Sequence, residues 1–308
     1  MTSGMGAAFF WALETLLLNR AISAEVLAQA GPLRAALLAA AVHDLCSAVF
    51  LLIFLTVTGH WRELIPALRF EGGLIIILAA LLGGPAGMTS YLLAIRTAGA
   101  SVAATLSALY PAVGAVLASA LLGERLWLPQ KGGLIICVGS GVLLGLQGGF
   151  QVEGWQGLIP ALLCALCWGA EAVLSSVGME ESGSSFEVAI AIRQLTSAAA
   201  YWLLLIPLSG TWQMLPQLCG TFAAGWLPLA ALAGTMSYLC YYRAIRNLGP
   251  SRGMALNITY TVWVVLLSAL LLWTAPGAPA LLCAGLVSLG SALTAWDPTP
   301  GACKGVER

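Results

Sequence analysis

Long apolar runs, each long enough for a helix to cross a membrane, recur along the whole chain. A transmembrane helix needs about 20 predominantly apolar residues, and polar residues or Gly and Pro separate the runs. The spacing predicts ten spans, at about 5–22, 32–57, 72–95, 101–123, 131–149, 156–178, 186–208, 221–244, 252–273 and 278–296. The predicted fold class is an all-α integral membrane protein with ten transmembrane helices.

The composition supports this fold class and excludes several others. Of the 308 residues, 60% are hydrophobic and only 8% are charged, whereas a soluble protein carries about a quarter charged residues. The chain therefore has too few charged side chains to cover a surface in water. Its formal net charge is zero, which argues against a nucleic-acid partner because such partners need a basic surface.

The placement of lysine and arginine predicts the orientation in the membrane. With a cytosolic N-terminus, Arg20, Arg34 and Arg96 fall outside and Arg193 lies within a span. The other nine basic residues fall on the cytosolic side: Arg62, Arg69, Arg125, Lys131, Arg243, Arg246, Arg252, Lys304 and Arg308. Because cytosolic loops are enriched in basic residues, both termini are predicted to be cytosolic. The acidic stretch 179–187, also predicted to be cytosolic, is an exception to this trend.

The chain repeats itself with an offset close to 150 residues. Residues 94–101 (AIRTAGAS) match 244–251 (AIRNLGPS), and Tyr110 aligns with Tyr260. Five spans precede the repeat point, and because five is odd the second half must enter the membrane with opposite polarity. Inverted repeats are typical of secondary transporters that bind substrate near the midplane. The predicted organisation is a first five-helix repeat at 1–150, a second at 151–298 and a cytosolic tail at 299–308.

A tryptophan and a glutamate stand three residues apart within an apolar span of each half. The pairs are Trp11 with Glu14 and Trp168 with Glu171. Residues at this spacing share one helix face, and an aromatic ring beside a carboxylate suits an organic cation. Carboxylates at membrane depth are costly and usually functional. Both glutamates are therefore candidate substrate-binding residues.

Three further ionisable residues lie well inside predicted spans: His43, Asp44 and Arg193. A histidine beside a carboxylate can exchange protons near neutral pH, so His43, Asp44 and Glu171 are candidates for proton coupling. The alternative for Glu171 is a structural ion pair with Arg193, because buried charges commonly pair with one another. Glu14 could instead be protonated and simply hydrogen-bonded.

Aromatic side chains away from the span ends form a candidate cage. Rings bind a quaternary ammonium through their quadrupoles and need no hydrogen bond, which such a cation cannot donate. Packing is the alternative role for any one of them. The candidate cage residues are Trp168, Trp11, Tyr260, Tyr238, Trp263 and Tyr241.

Several motifs resemble a known group of transporters. Tyr110-Pro111 and Gly123-Glu124 are similar to the drug/metabolite transporter superfamily in its ten-helix EamA-type branch. Within that branch, seven segments resemble the choline importers of bacteria: 43–45 (HDL), 84–88 (GPAGM), 108–112 (ALYPA), 168–176 (WGAEAVLSS), 192–197 (IRQLTS), 237–242 (SYLCYY) and 257–263 (NITYTVW). Glu14 has no counterpart there, and Leu272-Trp273 replaces the Gly-Glu motif in the second half.

The resemblance implies proton-coupled import of choline or a related quaternary amine by alternating access, in the bacterial cytoplasmic (inner) membrane. The expected partners are this cation, protons and the lipid bilayer, with no cofactor and with the chain as a monomer or homodimer. Other relatives imply an alternative, export of amino acids or of cationic drugs and metabolites.

An intramembrane enzyme acting on lipid headgroups is a third hypothesis that the motifs do not support. Such an enzyme needs a nucleophile with its base, a metal cluster or a phosphate-binding loop. His43 and His60 are the only histidines, and Cys164 and Cys167 form a C-x-x-C without a second ligand pair. The sequence therefore predicts neither an enzyme nor a metal site.

Residues 84–87 (GPAG) interrupt the third span and predict either a broken helix beside the cavity or a kink.

Overall fold

The computed structural model describes residues 2–22, 27, 29, 31–146, 155–221, 223–272 and 277–296, and within these ranges its regular elements are all helical. The longer helices are α1 (Thr2–Ile22), α2 (Pro32–Thr58), α3 (Glu71–Leu81), α4 (Thr89–Ser107), α5 (Tyr110–Leu121), α6 (Leu128–Leu146), α7 (Trp155–Ser182), α8 (Phe186–Ala200), α9 (Ala223–Leu248), α10 (Pro250–Asn257), α11 (Tyr260–Leu272) and α12 (Ala278–Ala295). Two π-helical segments continue α3 and α8, at Leu82–Met88 and Tyr201–Leu205. Short helical turns occupy His60–Glu63, Leu64–Leu68, Ile206–Ser209, Thr211–Met214 and Leu215–Cys219.

Four helical stretches of the described chain are long and apolar enough to cross a membrane. They are Pro32–Thr58, Glu71–Thr97, Gly157–Ser182 and Phe186–Ser209, and Tyr110–Leu121 and Leu281–Thr294 are shorter apolar helices. Large apolar side chains such as Val57, Leu128 and Leu203 are about four-fifths exposed, as lipid contact requires and water would disfavour. The all-helical membrane protein is confirmed, whereas the count of ten spans remains a prediction.

The predicted boundary between the third and fourth spans, near residues 96–100, does not coincide with a helix end. Helix α4 runs through it to Ser107, and α5 begins at Tyr110. At the matching place in the second half, α9 ends at Leu248, Gly249 adopts a φ of 82° and Pro250 begins α10. Proline disfavours helical geometry in the residue before it, so Pro250 breaks the helix at Gly249. In the first half Ala100 occupies the position of Pro250, and alanine imposes no such break.

Helices from the two predicted repeats pack against each other. Helix α1 lies along α9, α4 along α7, and α6 along α12. Helix α2 contacts α8 and α9 more extensively than it contacts α1, its neighbour in the chain. The first helix of each predicted repeat therefore borders helices of the other, and the central charged and aromatic side chains meet at this junction.

Glu124 joins the loop after α5 to the start of α10. Its Oε2 accepts a hydrogen bond of 2.7 Å from the Ser251 hydroxyl, and Gly249 lies close to its Oε1. Burial raises the pKa of the Glu124 carboxyl above its ordinary value of 4.5, although the Ser251 hydrogen bond lowers it in part. The folded protein therefore favours the protonated carboxyl more than the unfolded chain does.

Glu124→Gln is expected to reduce the pH dependence of thermal stability above pH 4.5. A raised folded-state pKa means that the stabilising contribution is complete below the unfolded value and is lost as pH rises through the folded value. Glutamine cannot ionise and still accepts the Ser251 hydrogen bond. Melting temperatures at acidic and neutral pH, with the exposed Glu181→Gln as control, test this. Identical pH dependence in Glu124→Gln and wild type would contradict it.

Candidate functional site

An aromatic cavity lies where the helices of the two predicted repeats meet. It is lined by Trp11, Tyr110, Trp168, Glu171, Arg193, Ser237, Tyr238, Tyr241, Tyr242, Asn257 and Tyr260. These residues come from α1, α5 and α7 to α11. No single helix or half forms this wall, because each helix contributes only one to four of its side chains and the first half supplies Trp11 and Tyr110.

The two tryptophans of the repeated motif contact each other in this wall. The Trp11 and Trp168 rings meet edge to face with centroids 5.3 Å apart. Each also contacts a tyrosine of the other half, Tyr238 for Trp11 at 5.8 Å and Tyr91 for Trp168 at 5.0 Å. The cavity volume is about 30 Å³, which holds only about one or two water molecules. A larger guest must therefore move these rings apart.

Glu171 and Arg193 form a buried ion pair in the cavity wall. The Arg193 Nε donates to Glu171 Oε1 at 2.7 Å, and the Tyr242 hydroxyl donates to the same oxygen at 3.2 Å. The guanidinium also lies 5.0 Å from the centroid of the Tyr238 ring and donates to the Gln194 side chain. Glu171 therefore forms the ion pair with Arg193 that the sequence offered as the alternative to a functional role. Its side chain nevertheless borders the cavity.

A second group of ionisable side chains surrounds His43 on α2. Its Nε2 lies 2.9 Å from Glu14 Oε1, and its Nδ1 lies 2.8 Å from Asp44 Oδ1. The other Asp44 oxygen accepts a hydrogen bond from Ser197 and lies 3.8 Å from Arg193 Nη1. The two groups thus form one continuous buried chain of charges from Glu14 to Glu171.

The candidate residues from the sequence divide between the cavity and its surroundings. Trp168, Glu171, Tyr260, Trp11, Tyr238 and Tyr241 line the cavity, as does Arg193. Glu14, His43 and Asp44 lie outside the lining in the adjoining charged chain. The Trp263 ring is also outside the lining and packs edge to face on Phe9 with centroids 5.2 Å apart.

Sequence analysis did not select Tyr110, Tyr242, Ser237 or Asn257, which also line the cavity. The Asn257 Nδ2 donates to the Tyr110 hydroxyl at 3.1 Å, across the predicted halves. Both residues stand beside a helix break, at 108–109 and 258–259. A polar residue next to a break inside an apolar span is the signal that could have identified Asn257.

The interrupted third span is a π-helical segment that packs against the site. A methyl group on Gly83 would overlap the Glu171 carboxylate, and one on Gly84 would overlap Ser197. A methyl group on Gly87 would lie 2.8 Å from the Trp168 ring. A backbone carbonyl of the segment also bonds to the site, because Trp168 Nε1 donates to the Gly83 oxygen at 3.2 Å. The glycines therefore allow backbone to approach the site where a side chain could not fit, and π-helical turns often mark such sites.

Gly83→Ala is expected to destabilise the protein by about 1–3 kcal/mol, the usual cost of overpacking a core. The added methyl group would displace the Glu171 carboxylate, which must stay against Arg193. Thermal unfolding in detergent measures this effect. Gly139→Ala is the matched control, because that helical glycine has open space around it. Equal melting temperatures for the two variants would show that the close packing at Gly83 is unimportant.

Comparison with known proteins identifies relatives over nearly the whole chain. A profile described as the EamA-like transporter family matches residues 1–146 and 155–296. Protein LicB of Haemophilus influenzae is 34% identical over 270 residues, which is 87% of each chain. A solved structure, described only as a crystal structure of a protein, superposes with a TM-score of 0.68 at 18% identity. It covers 95% of this chain and 94% of its own, so the two share a fold.

Proposed function

The chain belongs to the EamA-like transporter family, and we propose that it imports choline or a related quaternary amine by alternating access, coupled to protons. The observation that carries this proposal is the aromatic cavity with a carboxylate in its wall. Trp11, Trp168, Tyr238, Tyr241 and Tyr260 surround it together with Glu171. Quaternary ammonium groups bind to such rings without donating hydrogen bonds.

The charges around the cavity also favour a cation. Three buried carboxylates, from Glu14, Asp44 and Glu171, face one guanidinium and one imidazole among the described buried residues. One negative charge therefore remains even when His43 is protonated. An uncompensated charge is costly at membrane depth, so the site gains from binding one positive charge.

Proton coupling is proposed for the neighbouring charged chain. His43 and Asp44 contact each other, and Arg193 lies between Asp44 and Glu171. The side chains of Asp44 and Arg193 thus connect His43, where the protonation changes, to the cavity. Electrostatic coupling over such short buried contacts is strong, because water screens it little.

The proposed mechanism uses two inverted five-helix repeats, 1–150 and 151–298, that rock about the cavity. Both termini would be cytosolic, with the tail 299–308 beyond the last span. The packing of α1 along α9 and of α4 along α7 supports this, because relative motion of the repeats would separate the two tryptophans. Separation of these rings would open space for the cation that the cavity of about 30 Å³ lacks.

Choline counterflow in proteoliposomes is the direct test. Vesicles loaded with unlabelled choline should transiently accumulate labelled choline from outside, and membranes without protein should not. The control ligand is the uncharged analogue 3,3-dimethylbutan-1-ol, which has the same shape and should not compete. Absence of choline counterflow from folded protein would refute the proposal.

One observation favours the alternative of amino-acid or cationic drug export. The cavity wall holds Arg193 as well as Glu171, and a zwitterion could pair with both charges. The same counterflow assay with a panel of amino acids and cationic drugs separates the hypotheses. Exchange of amino acids without exchange of choline would support the exporter.

A further inference from the structure

Each half of the chain contains a buried acid–base pair in the same structural setting. Glu14 follows Trp11 by one turn on α1 and contacts His43 on the next long helix, α2. Glu171 follows Trp168 by one turn on α7 and contacts Arg193 on the next helix, α8. The two pairs are thus built from corresponding elements and differ in their basic partner.

A glycine from the opposite half covers each glutamate. A methyl group on Gly83, in the π-helical segment after α3, would overlap the Glu171 carboxylate. A methyl group on Gly234, on α9, would lie 2.8 Å from Glu14 Oε2 and 2.9 Å from His43 Nε2. Backbone of one half therefore closes over the charged pair of the other, so that relative motion of the halves would expose each pair to water.

The two pairs differ in whether they can change charge. A guanidinium stays protonated at all accessible pH values, whereas an imidazole gains and loses its proton near neutral pH. Glu14 and His43 are 1% and 0% exposed. Neither Glu14 oxygen nor His43 Nε2 has hydrogen-bond geometry to any partner in the described chain, although Nε2 and Oε1 are 2.9 Å apart. This contact depends on the position of one proton.

Few other ionisable groups face Glu14 from the helices packed around it. They are His43 and Asp44 on α2, Arg193 on α8, Tyr238 on α9 and Tyr91 on α4. Arginine and tyrosine side chains ordinarily titrate well above neutral pH, so their charge does not change near neutral pH. Asp44 already accepts hydrogen bonds or ion-pair contacts from His43, Ser197 and Arg193, which leaves Glu14 as the carboxylate that depends on His43 alone.

We propose that Glu14 and His43 together bind the coupled proton, and that Glu171 with Arg193 is the corresponding pair whose charge does not change. One proton enters from water on one side of the membrane, resides between His43 Nε2 and Glu14 Oε1, and leaves to water on the other side after the halves move. This inference rests on the proposed function, and it moves Glu14 from the candidate substrate-binding residues to the proton site.

His43→Arg tests the proposal because it gives the first pair the fixed charge of the second. In proteoliposomes, choline accumulation driven by a pH gradient needs proton release, whereas counterflow exchanges choline without net proton movement. The ratio of gradient-driven accumulation to counterflow is expected to fall about tenfold or more in His43→Arg. His60→Arg is the matched control, since this other histidine is partly exposed beside Glu63 and should keep the wild-type ratio.

Glu14→Gln provides the same test if His43→Arg does not fold, because glutamine has nearly the size and shape of glutamate. The ratio should fall likewise, since the proton site then lacks its carboxylate. A wild-type ratio in either folded variant would overturn the proposal. Absence of counterflow in the wild-type protein would instead refute the proposed function, so the two failures are distinguishable.

Discussion

Trp168→Ala is expected to weaken choline binding about 30-fold, because a desolvated cation–π contact contributes about 2 kcal/mol. The Trp168 ring lines the cavity and contacts the rings of Trp11, Tyr91 and Tyr110, so no neighbour can replace its face. Isothermal titration of purified protein with choline measures the change. The expected loss is in affinity, with the fold retained.

Two control variants make this result specific. Trp168→Phe keeps an aromatic face but lacks the indole N–H that donates to Gly83, and it should retain most of the affinity. Trp127→Ala removes a tryptophan that is 56% exposed and outside the cavity lining, and it should bind like wild type. Unchanged affinity in folded Trp168→Ala would remove this residue from the substrate site.

Arg193→Ala is expected to destabilise the protein by about 3–5 kcal/mol, the cost of leaving a buried partner charge uncompensated. Arg193 is 1% exposed and contacts both Glu171 and Asp44, so its loss leaves Glu171 without a cation and Asp44 with only His43 as a basic partner. A large fall in melting temperature and in the yield of monodisperse protein measures this effect. Arg193→Lys should lose less, since it keeps the charge but not the geometry of the guanidinium.

A double variant separates the ion pair from simple packing. Arg193→Met combined with Glu171→Gln removes both charges and should recover much of the stability lost in Arg193→Ala, because an apolar replacement of a buried pair is often tolerated. It should nevertheless fail to bind choline, which needs the Glu171 carboxylate. A double variant as unstable as Arg193→Ala would show that packing, and not charge, explains the loss.

The helices were predictable from the sequence because apolar length is a local property. Runs such as 32–57 and 186–208 correspond to α2 and to α8 with its continuation. The break at 258–259 inside the ninth predicted span was not predicted, because no proline marks it. The boundary near 96–100 was also wrong as a helix end, because Gly99 lacks the following proline that stops α9.

The candidate site was predictable in its residue types but only partly in its contacts. Trp168 and Glu171 were identified because a carboxylate one turn from a tryptophan is rare in an apolar span. Trp263 was chosen on depth alone, and its ring packs on Phe9 outside the cavity lining. Tyr242 was passed over, although its hydroxyl donates to Glu171, because sequence periodicity does not say which face of α9 meets α7.

The sequence by itself determined that this chain is a helical membrane protein with rare buried charges and a repeated Trp–Glu motif. Hydrophobicity and spacing along one helix are local properties, and they suffice for those conclusions. Only the tertiary structure decided that Glu14 pairs with His43 while Glu171 pairs with Arg193. Pairing of this kind depends on which side chains lie within about 4 Å of each other, and that is decided by packing between residues distant in the chain.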